Sequence, residues 1–473
     1  MTLAAGRRPL VPVAIVGLGV SGRAVARHLL GLGVTPVAFD SRAPLPDGAL
    51  PPDLEPLARE GLEIRLGEAA LAGLGAFATA FVTPGMRKDH PALVAARADG
   101  TELTGEIPYV LASAAAPVVG ITGSAGKTTT TTLVGHILER AGVGAFVGGN
   151  IGRPAIEALA LDPAPPWLVL ELSSFQLDLC HLSPRVGVLL NLAPNHLDVH
   201  PTMDEYRRAK LNVLAHQGSG DVAVTAADHP VAGADGAGRA RARPRFGVGA
   251  VLGGRALSEG TTVADGFIVW RDGARERRVV PVDAVALPGR HNLENVLAAV
   301  LLAMLAGAPP EAAGEAVRAF TGVAHRLQLV HEEGGVRYVD DSIATAPDRT
   351  IAALEAVSGG IVLIAGGSDK GVGYAVLGPY LRARVRVLLT MGPTGPAIAA
   401  ASRAAGGPAA RACADLTEAV RLARALARPG ETVLLAPASA SFDQFPNYAA
   451  RGDAFARLAR GEGGSFRPQP GLR

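Results

Sequence analysis

Short hydrophobic runs alternate with helical patterns along almost the whole chain. Runs rich in valine, isoleucine and leucine that end in glycine or a polar residue predict buried strands, and the longer stretches between them predict helices. Because strands that alternate with helices form mostly parallel sheets, the pattern predicts an α/β fold. The predicted strands are Val11–Val16, Pro36–Phe39, Pro117–Thr122, Trp167–Glu171, Val186–Asn191, Val336–Asp340, Ile361–Ala365, Val385–Met391 and Thr432–Ala436.

These strands fall into three segments, and 473 residues suffice for about three domains of ordinary size. The domains are predicted at residues 1–105, 106–322 and 323–473. The stretch 231–260, rich in glycine, alanine and arginine, is predicted to be an irregular surface excursion. The chain from Arg467 onward is predicted to be a loose tail.

Composition and charge argue against several classes of protein. A formal charge of +2, with basic and acidic residues interspersed, lacks the basic face of a nucleic-acid binder. Because no apolar run approaches the roughly 20 residues of a membrane span and the start of the chain lacks a signal-cleavage site, we expect a cytosolic protein without membrane insertion. Cys180 and Cys413 show neither a disulfide pattern nor metal-ligand spacing, and we expect them to be small buried residues.

Lysine is unusually scarce in this chain. Only Lys88, Lys127, Lys210 and Lys370 occur, and arginine takes nearly every other basic position. A lysine amine can lose its proton and react, which a guanidinium does not do. The scarcity favours chemical roles for these lysines, although a coding bias that left four lysines behind would give the same count. All except Lys88 fall inside motifs identified below on independent grounds.

A glycine motif follows the first predicted strand. Gly17, Gly19 and Gly22 open a helix and Asp40 follows the next strand, as in dinucleotide-binding domains. Glycine permits a tight turn and close approach of the backbone to a diphosphate, which the start of the helix attracts. Taken alone, the motif leaves open an NAD-dependent dehydrogenase, a site for another phosphate ligand, and a turn needed only for packing.

A second glycine motif, residues 120–128, reads Gly-Ile-Thr-Gly-Ser-Ala-Gly-Lys-Thr. Glycines let backbone N–H groups surround phosphate oxygens, while Lys127 would pair the β- and γ-phosphates and Thr128 would bind Mg²⁺. The glycine spacing departs from the standard P-loop. A strand, a glycine loop and a helix in succession nevertheless favour phosphate binding over a chance Gly-Lys-Thr.

Polar residues after the next two predicted strands are candidate partners of this loop. A P-loop needs a second metal-holding group, and Glu171 ends a buried strand. His196 follows the next strand, at the edge where parallel sheets place ligands. Taken alone, each has a simpler interpretation: a strand-end acid that faces solvent, and a surface histidine. Lys210 lies in a helical pattern whose simplest interpretation is a solvent-exposed face.

A series of motifs across the chain resembles the Mur ligase family. The central set is GITGSAGKTTT, GGN, ELSSFQL, NLAPNHLD and YRRAK, and the later set is GRHNLEN, AHRLQ, DDSIATAP, AGGSDKG and PASASFDQFPNYAARGDAF. The resemblance spans essentially the whole chain, and the last motif is similar to that of the glutamate-adding members. It implies three domains: a Rossmann-like N-terminal domain, a central P-loop ATPase domain that binds a mononucleotide, and a Rossmann-like C-terminal domain.

The resemblance implies that the first domain holds the UDP of a nucleotide-sugar substrate and not NAD. The residues implied for this substrate are Val20, Ser21, Ser41, Arg42, Thr83, Gly85, Asn150, Gln176 and His196, the last three facing its muramoyl-alanyl arm. Those implied for ATP are Gly123, Ser124, Ala125, Gly126, Lys127, Thr128, Thr129, Asn292, Asn295, Arg326 and Asp341. Two Mg²⁺ ions are implied, one near Thr128 and Glu171 and one with His196 and a carbamylated lysine at Lys210.

The reaction that the resemblance implies is an ATP-dependent ligation. The γ-phosphoryl group passes to the alanyl carboxylate of UDP-N-acetylmuramoyl-L-alanine, a precursor of peptidoglycan, and the amine of glutamate then displaces phosphate from the acyl phosphate. The implied catalytic residues are Lys127, Glu171, His196, Lys210, His325 and Arg326, and those implied for glutamate are Thr345, Lys370, Ser441 and Tyr448. We expect a monomer whose ligands are the nucleotide sugar, glutamate and ATP.

Two positions depart from the family pattern. Ala125 stands where the family usually has asparagine, and Ile343 stands where many members carry lysine. The resemblance makes D-glutamate the default substrate. Because the second change removes a cation beside the amino-acid pocket, and some relatives use L-glutamate, L-glutamate is an open alternative. Other Mur ligases and folylpolyglutamate synthetases share the central motifs. A dehydrogenase and a non-catalytic nucleotide-binding module are the alternatives outside this class.

Overall fold

A computed structural model describes residues 8–45, 48–51, 54–193, 200, 202–228, 231, 238–249, 251–252, 255–287, 289–369 and 373–462. The chain divides into two compact units, Met1–Thr321 and Gly322–Arg473. No helix among the described residues is long and apolar enough to cross a membrane.

The first unit opens with a five-stranded parallel sheet in the order β3-β2-β1-β4-β5. Residues of β1 alternate between two hydrophobic clusters, with Val13 and Ile15 in one and Ala14 and Val16 in the other. A strand buried on both faces therefore reads as a continuous apolar run. The elements are β1 (Val13–Val16), α1 (Val20–Gly31), β2 (Val37–Asp40), α2 (Glu55–Arg59), β3 (Glu63–Leu66), a 3₁₀ helix (Glu68–Ala76), β4 (Thr79–Val82), α3 (Pro91–Ala98), β5 (Glu102–Thr104) and α4 (Glu106–Ser113).

The same unit contains a nine-stranded sheet in the order β16-β15-β14-β11-β10-β9-β6-β8-β7. The strands from β7 to β14 in this order pair in parallel, and β14, β15 and β16 form an antiparallel edge. Its strands are β6 (Val118–Thr122), β7 (Ala145–Gly149), β8 (Trp167–Glu171), β9 (Val186–Leu189), β10 (Val222–Ala226), β11 (Arg245–Gly247), β14 (Glu259–Ala264), β15 (Phe267–Asp272) and β16 (Arg275–Pro281), with β12 (Val251–Leu252) and β13 (Arg255–Ala256) as a separate pair. The helices are α5 (Lys127–Arg140), α6 (Ser174–Leu177), α7 (Met203–Ala215), α8 (Arg290–Leu305) and α9 (Pro310–Ala319), with 3₁₀ helices at Ala155–Ala160 and Val282–Ala284.

The prediction of an irregular excursion over residues 231–260 is wrong for its second half. Arg245–Gly247 is a strand that pairs in parallel with β10 on one side and β14 on the other. Phe246 is buried in it. A three-residue strand between glycine- and arginine-rich stretches is too short to show alternation, so pairing with its two neighbours defines it.

The second unit is a six-stranded sheet in the order β17-β18-β22-β19-β20-β21. All neighbours pair in parallel except the edge strand β17. The elements are β17 (Gln328–Glu333), β18 (Val336–Asp340), α10 (Pro347–Ala356), β19 (Ile361–Gly366), a 3₁₀ helix (Ala375–Leu377), α11 (Gly378–Arg384), β20 (Val385–Met391), α12 (Gly395–Ala404), β21 (Ala410–Ala412), α13 (Leu416–Leu426), β22 (Thr432–Leu435) and α14 (Tyr448–Ala459).

The mostly parallel α/β sheets confirm the predicted fold class, and every predicted strand exists. The bounds of β8, β18 and β20 agree to the residue with the prediction. Both cysteines are buried, as expected. Within each sheet the parallel strands bring their following loops to one edge, which is where the candidate site residues lie.

Candidate functional site

The loop between β6 and α5, residues 123–126, has the geometry of a phosphate-binding loop. Gly126 adopts φ +84°, a conformation that residues with a Cβ rarely take, and α5 begins at the next residue, Lys127. A Cβ on Gly126 would lie 2.1 Å from Oδ1 of Asn295. The glycine is therefore required twice, for the turn and for the close approach of α8.

The side chain of Lys127 folds over this loop. Its Nζ donates hydrogen bonds to the carbonyl oxygens of Gly123, at 2.9 Å, and Ser124, at 3.2 Å. The ammonium group thus lies at the start of α5, where the helix dipole favours anions. Thr129 lies half-buried in the first turn of the same helix.

Asn191, which follows β9, clamps the loop from the neighbouring strand. Its Oδ1 accepts a hydrogen bond from the N–H of Ala125 at 2.9 Å, and its Nδ2 donates to the carbonyl oxygen of Ala125 at 3.1 Å. The hydroxyl of Ser124 donates to the carbonyl oxygen of Ala193 and accepts from its N–H, both at 2.9 Å. A strand was predicted to end at Asn191 but the residue was assigned no role, although an amide at the end of a buried strand was a usable signal.

Glu171 at the end of β8 meets Thr128 of α5. The Thr128 hydroxyl donates to Oε2 of Glu171 at 2.8 Å, and Nδ2 of Asn150 donates to Oε1 at 2.8 Å. The carboxylate is 3% exposed and has both oxygens bound. Asn292 and Asn295 lie three residues apart on α8, with Nδ2 of Asn295 donating to Oδ1 of Asn292 at 3.4 Å.

Lys210 on α7 is buried beside the same loop, and its helix does not present it to solvent. The side chain is 1% exposed, and its Nζ donates to the carbonyl oxygen of Gly123 at 2.8 Å. The ring of Tyr206 lies 4.8 Å below the amine. Burial, reinforced by the charge of Lys127 and partly opposed by that of Glu171, lowers the pKa of Lys210 to about 6.

Gln176, in the segment after β8, caps the start of its own short helix. Its Oε1 accepts hydrogen bonds from the N–H and the hydroxyl of Ser173, which closes a capping box at the start of α6. His200, which the sequence analysis did not single out, is 5% exposed, hydrogen-bonds Ser174 at 3.0 Å and stacks on Phe175. His196 lies outside the described residues.

The predicted nucleotide-sugar residues of the first sheet gather around the loop after β1. Oγ1 of Thr83 donates to the carbonyl oxygen of Val16 at 2.9 Å, and a Cβ on Gly17 would lie 2.2 Å from that Oγ1. Oδ2 of Asp40 accepts the N–H of Leu18 at 2.8 Å.

The remaining members of this predicted set lie at the same edge. Nε of Arg42 donates to Oδ1 of Asp40 at 2.8 Å. Val20 is 69% exposed at the start of α1, with the half-buried Ser21 beside it. Ser41 and Gly85 are exposed in the loops after β2 and β4.

In the second unit, His325 and Asp340 form a closely held pair. Nδ1 of His325 lies 2.7 Å from Oδ2 of the fully buried Asp340, and its Nε2 lies 3.8 Å from Asp453. The hydrogen bond that the imidazole donates to Asp340 raises the pKa of His325 against the opposing effect of burial. His325 and Leu327 have φ +60° and +44°, so this turn keeps two non-glycine residues in a strained backbone region.

Asp341 and Arg326, both predicted ATP residues, lie in the same turn region. Oδ1 of Asp341 accepts the N–H of Leu327 at 3.1 Å. Burial raises the pKa of Asp341 to about 7, with the hydrogen bond from Leu327 and the charge of Arg326 acting against that rise. Arg326 is exposed.

The described glutamate candidates flank two loops of this unit. Ser441 is 2% exposed and follows the loop after β22, and Tyr448 is the first residue of α14. Thr345 follows β18, close to Ile343, whose N–H donates to the carbonyl oxygen of His325 at 3.2 Å. Lys370 lies outside the described residues.

A hard cation fits the oxygens of Thr128 and Glu171, because Mg²⁺ is usually held by one or two protein oxygens together with substrate phosphates. The described ranges contain no group of three histidine, cysteine or acidic side chains that could hold a metal.

Protein-family models match three successive parts of the chain. The "Mur ligase MurD-like, N-terminal domain" matches residues 12–105, the "Mur ligase middle domain" residues 121–303, and the "Mur ligase, glutamate ligase domain" residues 325–439.

Similar curated proteins match nearly the full length. The UDP-N-acetylmuramoylalanine–D-glutamate ligase of Symbiobacterium thermophilum is 47% identical over 450 residues, which are 94% of this chain and 97% of that protein. The protein of the same name from Pelotomaculum thermopropionicum is 40% identical over 448 residues, 94% of this chain and 96% of its own. Among solved structures, the UDP-N-acetylmuramate–alanine ligase MurC from Thermotoga maritima aligns with a TM-score of 0.49 and 18% identity, over 95% of this chain and 99% of that one.

Proposed function

Since the chain belongs to the Mur ligase family, we propose that it uses ATP to join D-glutamate to UDP-N-acetylmuramoyl-L-alanine, a step of peptidoglycan precursor synthesis. The relatives that carry this reaction in their names are 47% and 40% identical over nearly the whole chain. One structural observation carries the proposal. Lys127 lies beside the hydrogen-bonded pair Thr128 and Glu171 at one edge of the nine-stranded sheet. That edge supplies both a cation for phosphates and oxygens for a metal ion.

In the proposed reaction, the backbone N–H groups of residues 123–129 and the ammonium of Lys127 bind the phosphates of ATP. Bound Mg²⁺ would neutralise charge on the β- and γ-phosphates. The alanyl carboxylate accepts the γ-phosphoryl group, the uncharged amine of glutamate attacks the acyl carbon, and phosphate leaves. Because negative charge develops in both steps, donors fixed before the reaction lower both barriers. Asn292, Asn295, Arg326 and Asp341 complete the proposed ATP site.

Lys210 is proposed to carry a carbamate, formed when its neutral amine attacks CO₂ and loses a proton. A pKa of about 6 leaves most of this amine uncharged at neutral pH, which is the form that reacts. The product is an anion in place of a neutral buried amine, and a second Mg²⁺ held with His196 would then compensate its charge. Arginine could not fill this position, which agrees with the use of a lysine there.

The nucleotide sugar is assigned to residues of the five-stranded and nine-stranded sheets, and glutamate to residues of the six-stranded sheet. Val20, Ser21, Ser41, Arg42, Thr83, Gly85, Asn150, Gln176 and His196 are proposed for the nucleotide sugar, and Thr345, Lys370, Ser441 and Tyr448 for glutamate. We place the domain boundaries after residues 105 and 322, beside the division between the compact units at Thr321. A monomeric state and a cytoplasmic location stay predictions from the sequence.

The proposal is tested by offering UDP-N-acetylmuramoyl-L-alanine, ATP and Mg²⁺ with either D- or L-glutamate and measuring phosphate release. We expect release that requires all three substrates and is fast only with D-glutamate. Equal rates without the nucleotide sugar would refute the ligase reaction. A preference for L-glutamate would retain the reaction and overturn the enantiomer, as the loss of a cation at Ile343 allows.

A further inference from the structure

Arg451, in the first turn of α14, is a charged side chain buried in the second unit. It is 1% exposed and ranks among the largest fully buried side chains of the described residues. Desolvation lowers the pKa of Arg451 to about 10, and the more distant charges of Asp443 and Asp340 oppose this fall. A guanidinium in such a place costs free energy unless its donors are satisfied, so its hydrogen bonds indicate what it does.

The guanidinium makes four hydrogen bonds, all to neutral oxygens of two loops. Nε donates to the hydroxyl of Ser342 at 2.9 Å and Nη2 to its carbonyl oxygen at 3.0 Å. Nη1 donates to the carbonyl oxygen of Ala440 at 3.0 Å, and Nη2 to that of Ser439 at 3.1 Å. The planar fork therefore joins the loop after β18 to the loop after the neighbouring strand β22.

The loop after β19 lies against the loops that Arg451 joins, and the strained residue Ala438 lies within one of them. A Cβ on Gly367, which follows β19, would lie 2.1 Å from the carbonyl oxygen of Ala440 and 3.1 Å from Nη1 of Arg451. Ala438, which precedes the two residues whose carbonyl oxygens Arg451 binds, has φ +58°. Such conformations persist only where the surroundings fix them. The hydrogen bonds that Arg451 makes to the two loops are called the clamp.

The candidate glutamate residues are attached to the clamped loops. Ser441 follows Ala440 directly, and Thr345 lies three residues after Ser342. The hydroxyl of Ser342 donates in turn to the carbonyl oxygen of Tyr448 at 2.8 Å.

We propose that Arg451 is a positioning residue for the acidic amino-acid substrate: it fixes the loops after β18 and β22 so that Thr345, Ser441 and Tyr448 keep a common geometry. This inference rests on the proposed function, but it has its own readout. Loosening the clamp weakens the binding of glutamate and leaves the nucleotide-sugar site, whose assigned residues all lie in the first unit, unchanged.

The test compares Ser342→Ala, Arg451→Lys and Arg451→Met with the wild type, measuring kcat and the KM of each substrate by phosphate release. Ser342→Ala removes one acceptor of the clamp, so we expect the KM for glutamate to rise about tenfold, the effect of one hydrogen bond to a charged group. We expect a larger rise for Arg451→Met, with Arg451→Lys between the two because it keeps the charge but not the fork. The KM for the nucleotide sugar, whose assigned residues lie in the first unit, should stay within about twofold of wild type.

Arg384→Met is the matched control. Arg384 also donates to backbone carbonyl oxygens, those of Leu354 and Val357, but it precedes β20 and so lies at the opposite edge of the same sheet. We expect a lower melting temperature for this variant and an unchanged KM for glutamate.

Three outcomes decide the matter. A selective rise in the KM for glutamate, restored in part by lysine, supports the positioning role. An equal rise in the KM for glutamate and in the KM for the nucleotide sugar, or a lower melting temperature with unchanged KM values, would overturn it. If Arg451→Met fails to fold, Ser342→Ala and Arg451→Lys give the same decision. Wild-type enzyme that releases no phosphate with glutamate would instead count against the proposed function.

Discussion

The loop around Lys127 and the loops after β18 and β22 both follow the carboxyl ends of parallel strands, but they are held in different ways. The loop around Lys127 is largely local, because Gly126 supplies the positive φ and leaves room for Asn295. Asn191 after β9 and Lys210 on α7 add hydrogen bonds to it.

The loops of the second unit contain strained residues that are not glycine. Ala438, in the loop after β22, has φ +58°. His325 has φ +60° and lies in the turn before β17, where its carbonyl oxygen accepts the N–H of Ile343 from the loop after β18. Asp340 hydrogen-bonds the imidazole of His325, and Arg451 donates to the carbonyl oxygen of Ser439, which follows Ala438. Each such conformation costs on the order of 1–3 kcal/mol, which the contacts of buried charged groups must offset. The loop around Lys127 therefore depends on a glycine, and the loops of the second unit depend on the buried side chains of Asp340 and Arg451.

The largest effect is expected where the first loop meets its ligand. Lys127→Ala removes the ammonium that faces the proposed phosphates, and we expect turnover to fall by at least about 10³-fold with little change in melting temperature. Phosphate release with all substrates present measures this. Arg140→Ala, at the exposed far end of the same helix, should keep its activity. Substantial ligation by Lys127→Ala would contradict the assignment of ATP to this loop.

The next largest effect tests whether the first loop depends on a small residue. Gly126→Ala forces a Cβ into a strained backbone and against Asn295, so we expect the KM for ATP to rise on the order of 10²-fold, as displaced catalytic groups commonly cost. Gly142→Ala has a similar φ, +70°, but nothing lies within 4 Å of its Cβ. If both variants lose activity alike, strain alone is responsible and the contact with Asn295 is irrelevant.

The third test uses the pH dependence of folding stability to distinguish a buried basic group of the first unit, Lys210, from a half-buried one of the second unit, His325. The pKa of Lys210 is about 6 in the folded protein and near 10.5 when unfolded, so the unfolded state binds the extra proton between these values. Stability from this group must therefore rise with pH across that window, by up to about 1.4 kcal/mol per pH unit. Denaturant unfolding in CO₂-free buffer should show this slope in wild type and lose it in Lys210→Met. The exposed Arg208→Met on the same helix should retain the slope.

The smallest effect has the opposite sign. Because Asp340 raises the folded pKa of His325, the stability from their contact is full below the unfolded pKa and is lost as pH rises through the folded value. NMR titration of the imidazole should show a pKa above the ordinary value, which falls in Asp340→Asn. Asp453→Asn, which removes the more distant carboxylate, should lower it less. Equal falls in both variants would mean that the hydrogen bond of Asp340 is not the main cause.

Local patterns predicted much of this molecule. The strand Trp167–Glu171 was predicted to the residue, because its apolar run ends at Leu170 and a polar residue follows directly. The loop around Lys127 was also predicted from the sequence, since glycine, lysine and threonine follow one another there. Arg245–Gly247 was not, because its identity as a strand depends on pairing with residues far along the chain.

The side chains that fix the sites were harder to predict. The helical pattern around Lys210 is typical of an exposed face, yet the lysine is 1% exposed. Apart from the family resemblance, only the scarcity of lysine signalled a special role. Gln176 was assigned to substrate by resemblance, and the structure places its side-chain oxygen in a helix cap; its role at the substrate stays a prediction. Arg451 gave no signal, because an arginine in an amphipathic helix is ordinarily exposed. Its partners, Ser342 and Ala440, lie 109 and 11 residues away.

The two buried cysteines make the chain well suited to chemical labelling. Burial raises the pKa of Cys180 to about 12 and that of Cys413 to about 11, so at neutral pH only about one thiol in 10⁴ or fewer is the reactive thiolate. A cysteine introduced at an exposed position would therefore take a maleimide dye far faster than either native thiol. Two such dyes, one on each compact unit, would report substrate-driven changes in distance by energy transfer without removal of a native cysteine.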